Sequence, residues 1–557
     1  MSEQGERYQS ILQSMSLREK VGQMLLIGFH GTEAAGDIET FIQQYPVGGV
    51  IYFARNAESP EQVEKLSQGL QSIASASDHI PLWISIDQEG GMVSRITEGI
   101  ALMPGQMAIA AAGSQDDAYQ AAYISGIELR SMGINMNFAP VLDVNNNAAN
   151  PVIGVRSFGE KADAVAEYGV RAVMGYQDAG VVATAKHFPG HGDTDTDSHL
   201  DLPVIHHDRE RMNQVELVPF RAAIAAGVGA VMSAHIYFPA LESERLPVTL
   251  SRSVLHGLLR EEFGYEGMIV TDCMEMDAIA VHYGTVEAAV MAVEAGADLV
   301  LISHTPRLQI EAYEALIAAV QQERISEERI DESVIRLLRY KSKHGLLDNG
   351  MNEDNRSEGA NRSLAQPDMP ALDTGTERNS PLYQAVAQRI SERSITLVRD
   401  QIGMLPLKMQ RTLVITVASS VTSAVDEQLS ETSTLGAVLS RYGLEVIDLY
   451  VNVENVSTSS ASMLQAARAQ EVEQIIVGTY NASSASGESQ CRLIEALQQI
   501  GKPLAVVALR SPYDLLALPI VKVYVAAYES RPLAMNSVAQ ALLGQIPFQG
   551  KSPVSIE

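Results

Sequence analysis

Up to about residue 305 the chain alternates short apolar, β-branched runs with longer stretches of helical period. Runs of four to eight such residues bounded by turn formers read as buried strands, and the helical stretches between them read as crossovers. Eight runs stand out: Gln23 to Phe29, Val47 to Ala54, Pro81 to Asp87, Asn135 to Val144, Val181 to Phe188, Ala230 to Ile236, Met268 to Cys273 and Asp298 to Ser303. Helical patterns such as DAVAEYGVRAVMGYQDAG and QVELVPFRAAIAAG follow the fourth and fifth, each closed by a Gly where a C-cap belongs. Strands joined by helices form a parallel sheet, and eight is the number that closes a (β/α)8 barrel of TIM type. An open doubly wound sheet is the alternative. No glycine-rich fingerprint opens the first strand-to-helix turn, so a nucleotide site finds no support.

From Leu346 to Pro381 the pattern lapses into Asn, Ser, Gly, Pro and charge, which reads as a linker. Beyond it SITLVRD, TLVITVAS, EVIDLYV, EQIIVGTY, PLAVVALR and VKVYVAAY alternate with helix-like SMLQAARAQ and QCRLIEALQQI. The expected architecture is therefore α/β throughout. A catalytic barrel occupies residues 1–345, a linker 346–381, and a smaller α/β/α sandwich with a mainly parallel sheet 382–557.

Composition narrows the partners. The chain of 557 residues is 46% hydrophobic and 19% charged, ordinary for a folded globular protein. Its formal charge of -28 opposes nucleic acid, whose binding rests on Lys and Arg neutralising phosphates. Cys273 and Cys491 supply no disulfide framework and no metal cluster. The start, MSEQGERYQSILQSMSLREKVGQMLLIGF, lacks the pattern of an export signal, so a cytoplasmic protein is expected, or an exported one without its leader. No membrane association and a monomer or weak homo-oligomer complete the expectation.

Ionisable residues gather at the C-terminal ends of the expected strands, where barrel active sites are built: Asp87, Asp143, Lys186, His187, His235 and Asp272. Singly, each is equally well explained as a capping residue. Together they point to a site. The densest segment, KHFPGHGDTDTDSHLDLP from Lys186 to Pro203, first suggests zinc, but its spacing fits no compact zinc motif, and no metal or other cofactor is expected. In acid/base terms, Asp197 lies two residues from His199 and can hold the imidazole in one tautomer. Turn chemistry explains Asp-Ser-His as well. Asp272 ends the seventh strand, where a nucleophilic carboxylate facing a separate proton donor serves double-displacement glycoside hydrolysis. Glu275 and Asp277 read as charge at a helix N-terminus. In ISIDQEGGMVSRI, Asp87 can accept sugar hydroxyls with Arg95 within reach, and Gly90-Gly91 lets the backbone turn. Arg156 and Lys186 add donors for hydroxyls or an acetamido carbonyl.

The phrases DQEGG, NFAPVLDV, KHFPGHGDTDTDSH, MSAHI and IVTD, in this order and at strand ends, resemble glycoside hydrolase family 3 in its β-N-acetylglucosaminidase branch. The resemblance spans the barrel and, more loosely, a second domain entered at SITLVRD and Leu405 to Leu407, as in two-domain members from Gram-positive bacteria. It implies Asp272 as nucleophile and His199, held by Asp197, as acid/base. It assigns sugar contacts to Asp87, Arg95, Arg156, Lys186, His187 and His235. β-Glucosidase relatives draw the acid/base from a Glu outside the barrel, so Asp197-Ser198-His199 selects the branch. Met92 departs from it, since many relatives carry Arg in DQEGGRV.

The implied function is a retaining exo-β-N-acetylglucosaminidase that takes non-reducing β-linked GlcNAc from peptidoglycan fragments or chitooligosaccharides. A β-glucosidase, a GlcNAc phosphorylase in which phosphate replaces water, and a non-catalytic sugar-binding protein are the alternatives.

Overall fold

Each of the eight apolar runs forms a barrel strand in the computed structural model, which describes residues 3–195, 197–198, 201–347, 378–418 and 434–556. The strands are β1 (Leu25–Gly28), β2 (Gly49–Tyr52), β3 (Trp83–Ile86), β6 (Met136–Asn137), β7 (Val182–Phe188), β8 (Ala230–Ser233), β9 (Met268–Thr271) and β10 (Val300–Ile302). Two short strands, β4 (Gln88–Gly90) and β5 (Val93–Ser94), form an antiparallel hairpin straight after β3. The barrel strands pair in parallel in chain order, and β1 also pairs with β10, so that Leu25 faces Val300.

The seam between β9 and β10 closes differently. A single bridge, Val270 to Leu299, replaces a ladder. Asp298 reinforces it: its backbone N–H donates to Ile269 O at 2.8 Å, and its Oδ2 accepts from Ile269 N at 2.8 Å. The same buried carboxylate takes Arg336 at 2.6 Å, Ser333 at 2.5 Å and Arg260.

Helices follow the strands with one departure from the expected pattern. The stretch after β7 splits into Arg209–Gln214 and Leu217–Ala225. Pro219 lacks an N–H and is tolerated only in a first helical turn, which fixes a new helix start just before it. The expected glycine stops hold: Gly180 and Gly227 end their helices with φ of +84° and +77°.

The second sheet comprises β11 (Thr396–Asp400), β12 (Thr412–Ala418), β13 (Val446–Asn452), β14 (Gln474–Thr479), β15 (Leu504–Ala508) and β16 (Val523–Ala526). Its order is β11-β16-β15-β14-β12-β13, parallel except where β11 meets β16. Side chains alternate between its faces. Leu413, Ile415, Ile475 and Val477 pack under helices Val456–Arg468 and Glu488–Gln498, whereas Val414, Ile476, Ala505 and Val507 pack under Leu435–Arg441 and Pro532–Leu542. Apolar layers on both faces make this the expected α/β/α sandwich.

The two units share apolar surface. Met92, Met107, Ala108 and Val155 of the barrel belong to the cluster that holds Tyr513, Tyr528 and Val554. Helix Pro381–Ser394, at the expected entry to the second unit, buries Tyr383, Val386 and Ile390 in the barrel's core. Near residue 555 the chain returns to the barrel, where Glu160 accepts from Ser555 N at 2.8 Å and from Ser555 Oγ at 2.5 Å. Among the described residues no helix is long and apolar enough to cross a membrane.

At this junction Glu529 accepts from Gly105 N at 3.0 Å. Burial lifts its carboxyl to about 7, and the Gly105 N–H and Arg531 only partly offset that rise. The native state therefore keeps a proton that the unfolded chain sheds near 4.5. Its stabilising contribution is whole below that value and is lost as pH rises through about 7. Glu529→Gln should accordingly flatten the fall in melting temperature between pH 5 and pH 8. At the seam, Asp298→Ala strands two cations, and denaturant titration should show a loss of about 3–5 kcal/mol.

Candidate active site

The C-terminal ends of the barrel strands enclose a cavity of about 510 Å³. Its wall includes Asp87, Glu89, Arg95, Arg156, Lys186, His187, Ser198 and Asp272. Among the described residues, every residue that lines it comes from the barrel, between Ile51 and His304.

On one side the wall is a network of buried charge. Lys186, near the C-terminal end of β7, donates to Asp87 Oδ1 at 2.8 Å and meets Glu89 Oε1 at 2.7 Å. Arg156 grips Glu89 with two bonds, Nε to Oε2 at 2.9 Å and Nη2 to Oε1 at 2.8 Å, while its Nη1 donates to Val152 O. Arg95 reaches Asp87 Oδ2 at 3.4 Å from the far side of the hairpin. Burial alone would push the Glu89 carboxyl up, yet Arg156 and Lys186 overcome that and hold it well below the usual carboxylate range. Burial likewise favours neutral Lys186, and Asp87 and Glu89 reverse the effect, so its ammonium is retained. The result is a fixed set of donors and acceptors with Asp87 the most open member, 17% exposed against 3% for Lys186 and Glu89. Such a set matches the hydroxyls of a sugar.

Glu89 is central here, yet the sequence reading leaves it out of the site. Its signal was the acid in the middle of DQEGG, visible only once the hairpin turns at Gly90-Gly91. Arg156 points at this carboxylate, and three of its N–H groups are engaged within the protein. Met92, the departure from the family pattern, is buried in the cluster shared with the second sheet.

Asp143, wholly buried below the cavity floor, takes three bonds: His187 N at 3.1 Å, His191 N at 2.7 Å and His187 Nδ1 at 2.7 Å. Burial opposes its charge, but His187 outweighs burial and keeps the carboxyl lowered. As Asp143 accepts the Nδ1 proton, His187 Nε2 is the ring atom left for a ligand. The chain then bends tightly. A Cβ on Gly192 would stand 1.8 Å from Val144 O, so the loop passes there only with glycine.

His191 ties the loop that follows. Its Nδ1 lies 2.9 Å from Thr194 Oγ1 and its Nε2 lies 3.0 Å from Ser198 Oγ. Burial, followed by the charge of His187, lowers His191 to about 4 and keeps it neutral. Two further pairs hold the loop's flanks, His207 to Asp193 at 2.6 Å and His282 to Asp201 at 2.9 Å. Asp197 is half-buried on this loop, next to the cavity-lining Ser198. His199, the expected proton donor, lies outside the described residues.

Opposite, Asp272 follows β9 directly and borders the cavity. Its N–H donates to Ser233 O at 3.3 Å, and its Oδ1 accepts from Cys273 N at 2.7 Å. His235 differs from the expected sugar contact. It is buried behind the strand ends, with Nδ1 2.8 Å from Thr249 Oγ1 and Nε2 2.9 Å from Cys273 O, so its ring braces the Asp272-Cys273 backbone. Asp277 opens helix Asp277–Ala280, as expected of a charge at an N-terminus, whereas Glu275 accepts from His304 N at 2.6 Å. Among the described residues no group of three or more His, Cys, Asp or Glu is arranged to hold a metal.

The chain matches the Glycosyl hydrolase family 3 N terminal domain over residues 16–340. It is 31% identical to β-hexosaminidase A of Pseudoalteromonas piscicida, over 93% of this chain and 91% of that protein. It is also 31% identical to the β-N-acetylglucosaminidase/β-glucosidase of Cellulomonas fimi, over 87% and 85% of the two chains. The solved structure of a glycoside hydrolase family 3 β-N-acetylglucosaminidase from Paenibacillus sp. str. FPU-7 superposes with a TM-score of 0.89. That protein is 48% identical, and the match covers 98% of this chain and 99% of the other.

Replacing His191 by Ala removes the tie between Thr194 and Ser198. Hydrogen–deuterium exchange should then rise over residues 193–202 while the barrel strands keep their protection.

Proposed function

Because the chain belongs to glycoside hydrolase family 3, we propose that it is a retaining exo-β-N-acetylglucosaminidase with Asp272 as nucleophile and His199, oriented by Asp197, as acid/base. The observation that carries this reading is the composition of the cavity wall. Asp272 borders it, Ser198 of the Asp197-Ser198-His199 segment lines it, and no carboxylate of the second domain is among its described lining residues. A proton donor from the barrel's own loop accounts for that wall better than a Glu from the sandwich.

A cavity of about 510 Å³ suits roughly one or two sugar rings rather than a run of subsites, in keeping with removal of a terminal residue. The non-reducing GlcNAc sits with its hydroxyls on Asp87, Lys186 and His187. Arg95 and Arg156 hold the carboxylates to which those groups answer. Protonated His199 gives its proton to the glycosidic oxygen while Asp272 attacks the anomeric carbon, so the bond to the leaving sugar breaks as the glycosyl ester forms. Neutral His199 then takes a proton from water, whose oxygen attacks the same carbon and frees both GlcNAc and Asp272. Two inversions retain the β configuration. The substrates proposed are peptidoglycan fragments and chitooligosaccharides that end in β-linked GlcNAc, with no cofactor.

Paired assays test the assignment. Asp272→Asn should abolish turnover. His199→Ala should slow chitobiose hydrolysis by about 10²–10⁴-fold and nitrophenyl-GlcNAc far less, because the nitrophenolate leaves without a proton. Equal losses on both substrates remove His199 as the acid. A preference for nitrophenyl-glucose over nitrophenyl-GlcNAc removes the acetamido sugar from the proposal.

A further inference from the structure

The segment that carries Asp87, Glu89 and Arg95 is one continuous stretch, the end of β3 and the β4–β5 hairpin. A hairpin of three and two residues has little stability of its own. Its turn, however, is gripped from the second domain. Arg531, 4% exposed, donates from Nε to Gly91 O at 3.0 Å and from Nη2 to Met92 O at 3.3 Å. Glu529 closes on the same turn from the other direction: a Cβ on Gly91 would stand 2.7 Å from its Oε2, the atom that accepts the Gly105 N–H. Between them Ser530 Oγ lies 3.8 Å from Met92 Sδ. A small void bounded by Glu89, Met92, Arg156, Tyr528 and Glu529 shows how near this segment comes to the charge network without entering the sugar cavity.

We propose that Arg531 and Glu529 are positioning residues for the sugar site, a clamp through which the second domain sets the hairpin that bears Asp87, Glu89 and Arg95. The second domain is thereby part of the binding site although it lines none of the described cavity wall. Arg531 supplies the orientation, because two donors of one planar guanidinium fix the directions of two successive carbonyls. Glu529 sets the depth to which the glycine turn can sink. The inference rests on the function proposed above in one respect only, the choice of a GlcNAc glycoside as probe.

The test uses the full chain with Arg531→Ala, Arg531→Lys and wild type. Arg531→Ala should raise KM for nitrophenyl-GlcNAc on the order of tenfold, the effect of about 1.4 kcal/mol of lost alignment, with kcat changed much less. Arg531→Lys, which replaces the fork by a single ammonium, should recover part of the loss. Low millimolar guanidinium, against sodium chloride of equal ionic strength, should lower the KM of Arg531→Ala and leave wild type unaffected. A merely unfolded fraction would lower apparent kcat and leave KM alone. In parallel, hydrogen–deuterium exchange over residues 88–95 should rise in Arg531→Ala. Unchanged KM and unchanged exchange in a folded variant would overturn the clamp. Wild type inert toward GlcNAc glycosides would instead overturn the proposed function, and the exchange result would still decide the clamp.

Discussion

Two acids and two bases are buried against one another at the mouth of the barrel, and the rest of the site is arranged around them. Glu89 has Arg156 on one flank and Lys186 on the other, and Lys186 passes the link to Asp87. Such a group survives burial only when each charge has a partner, since a single removal leaves an ion without water or counter-ion. The quartet therefore ties four parts of the chain into one geometry: the end of β3, the β4–β5 hairpin, the turn at Gly154–Arg156 and the end of β7. The hairpin keeps its place by virtue of this charge at one end and the second domain at the other.

The barrel was legible in the sequence because parallel strands are covered on both faces and read as unbroken apolar runs. The four inner strands of the second sheet, β12, β14, β15 and β16, were legible for the same reason, and the edge strands β11 and β13 by their β-branched residues. The short β4–β5 hairpin was not, since its residues are polar and glycine-rich and its order comes from contacts made far away. Asp87, Lys186, His187 and Asp272 border the cavity because strand ends are where a barrel must place them, and Arg95 and Arg156 reach it from the loops that follow β5 and β6. Glu89 escaped notice as one acid in a turn, and its importance rests on Arg156, 67 residues onward. His235 was assigned by resemblance to the sugar, but its two ring nitrogens face Thr249 and the Cys273 carbonyl, an outcome that only side-chain packing decides.

The loop after β7 depends on histidines that never meet a ligand in the proposed chemistry. His191 is neutral and tied at both nitrogens, whereas His207 and His282 each face a carboxylate on the loop's flanks. Leu202 and Ile205 are buried at the end of this segment, and before them its described residues are held by these hydrogen bonds. The opposite wall is held by backbone, since Asp272 follows a barrel strand directly.

The contact from Arg531 to Gly91 spans 440 residues of sequence. A ribosome adds roughly 5–20 residues each second, so the β4–β5 turn leaves it about 20 to 90 s before the arginine that holds it exists. During that interval the eight barrel strands, all made before residue 303, can already pair with one another, although helix Pro381–Ser394 has yet to complete their core. The rim that carries Asp87 and Glu89 cannot take its final form until the sandwich arrives. Maturation of the sugar pocket is thus timed by synthesis of the second domain, and a ribosome that stalled in the intervening stretch would leave the barrel strands with an unfinished mouth.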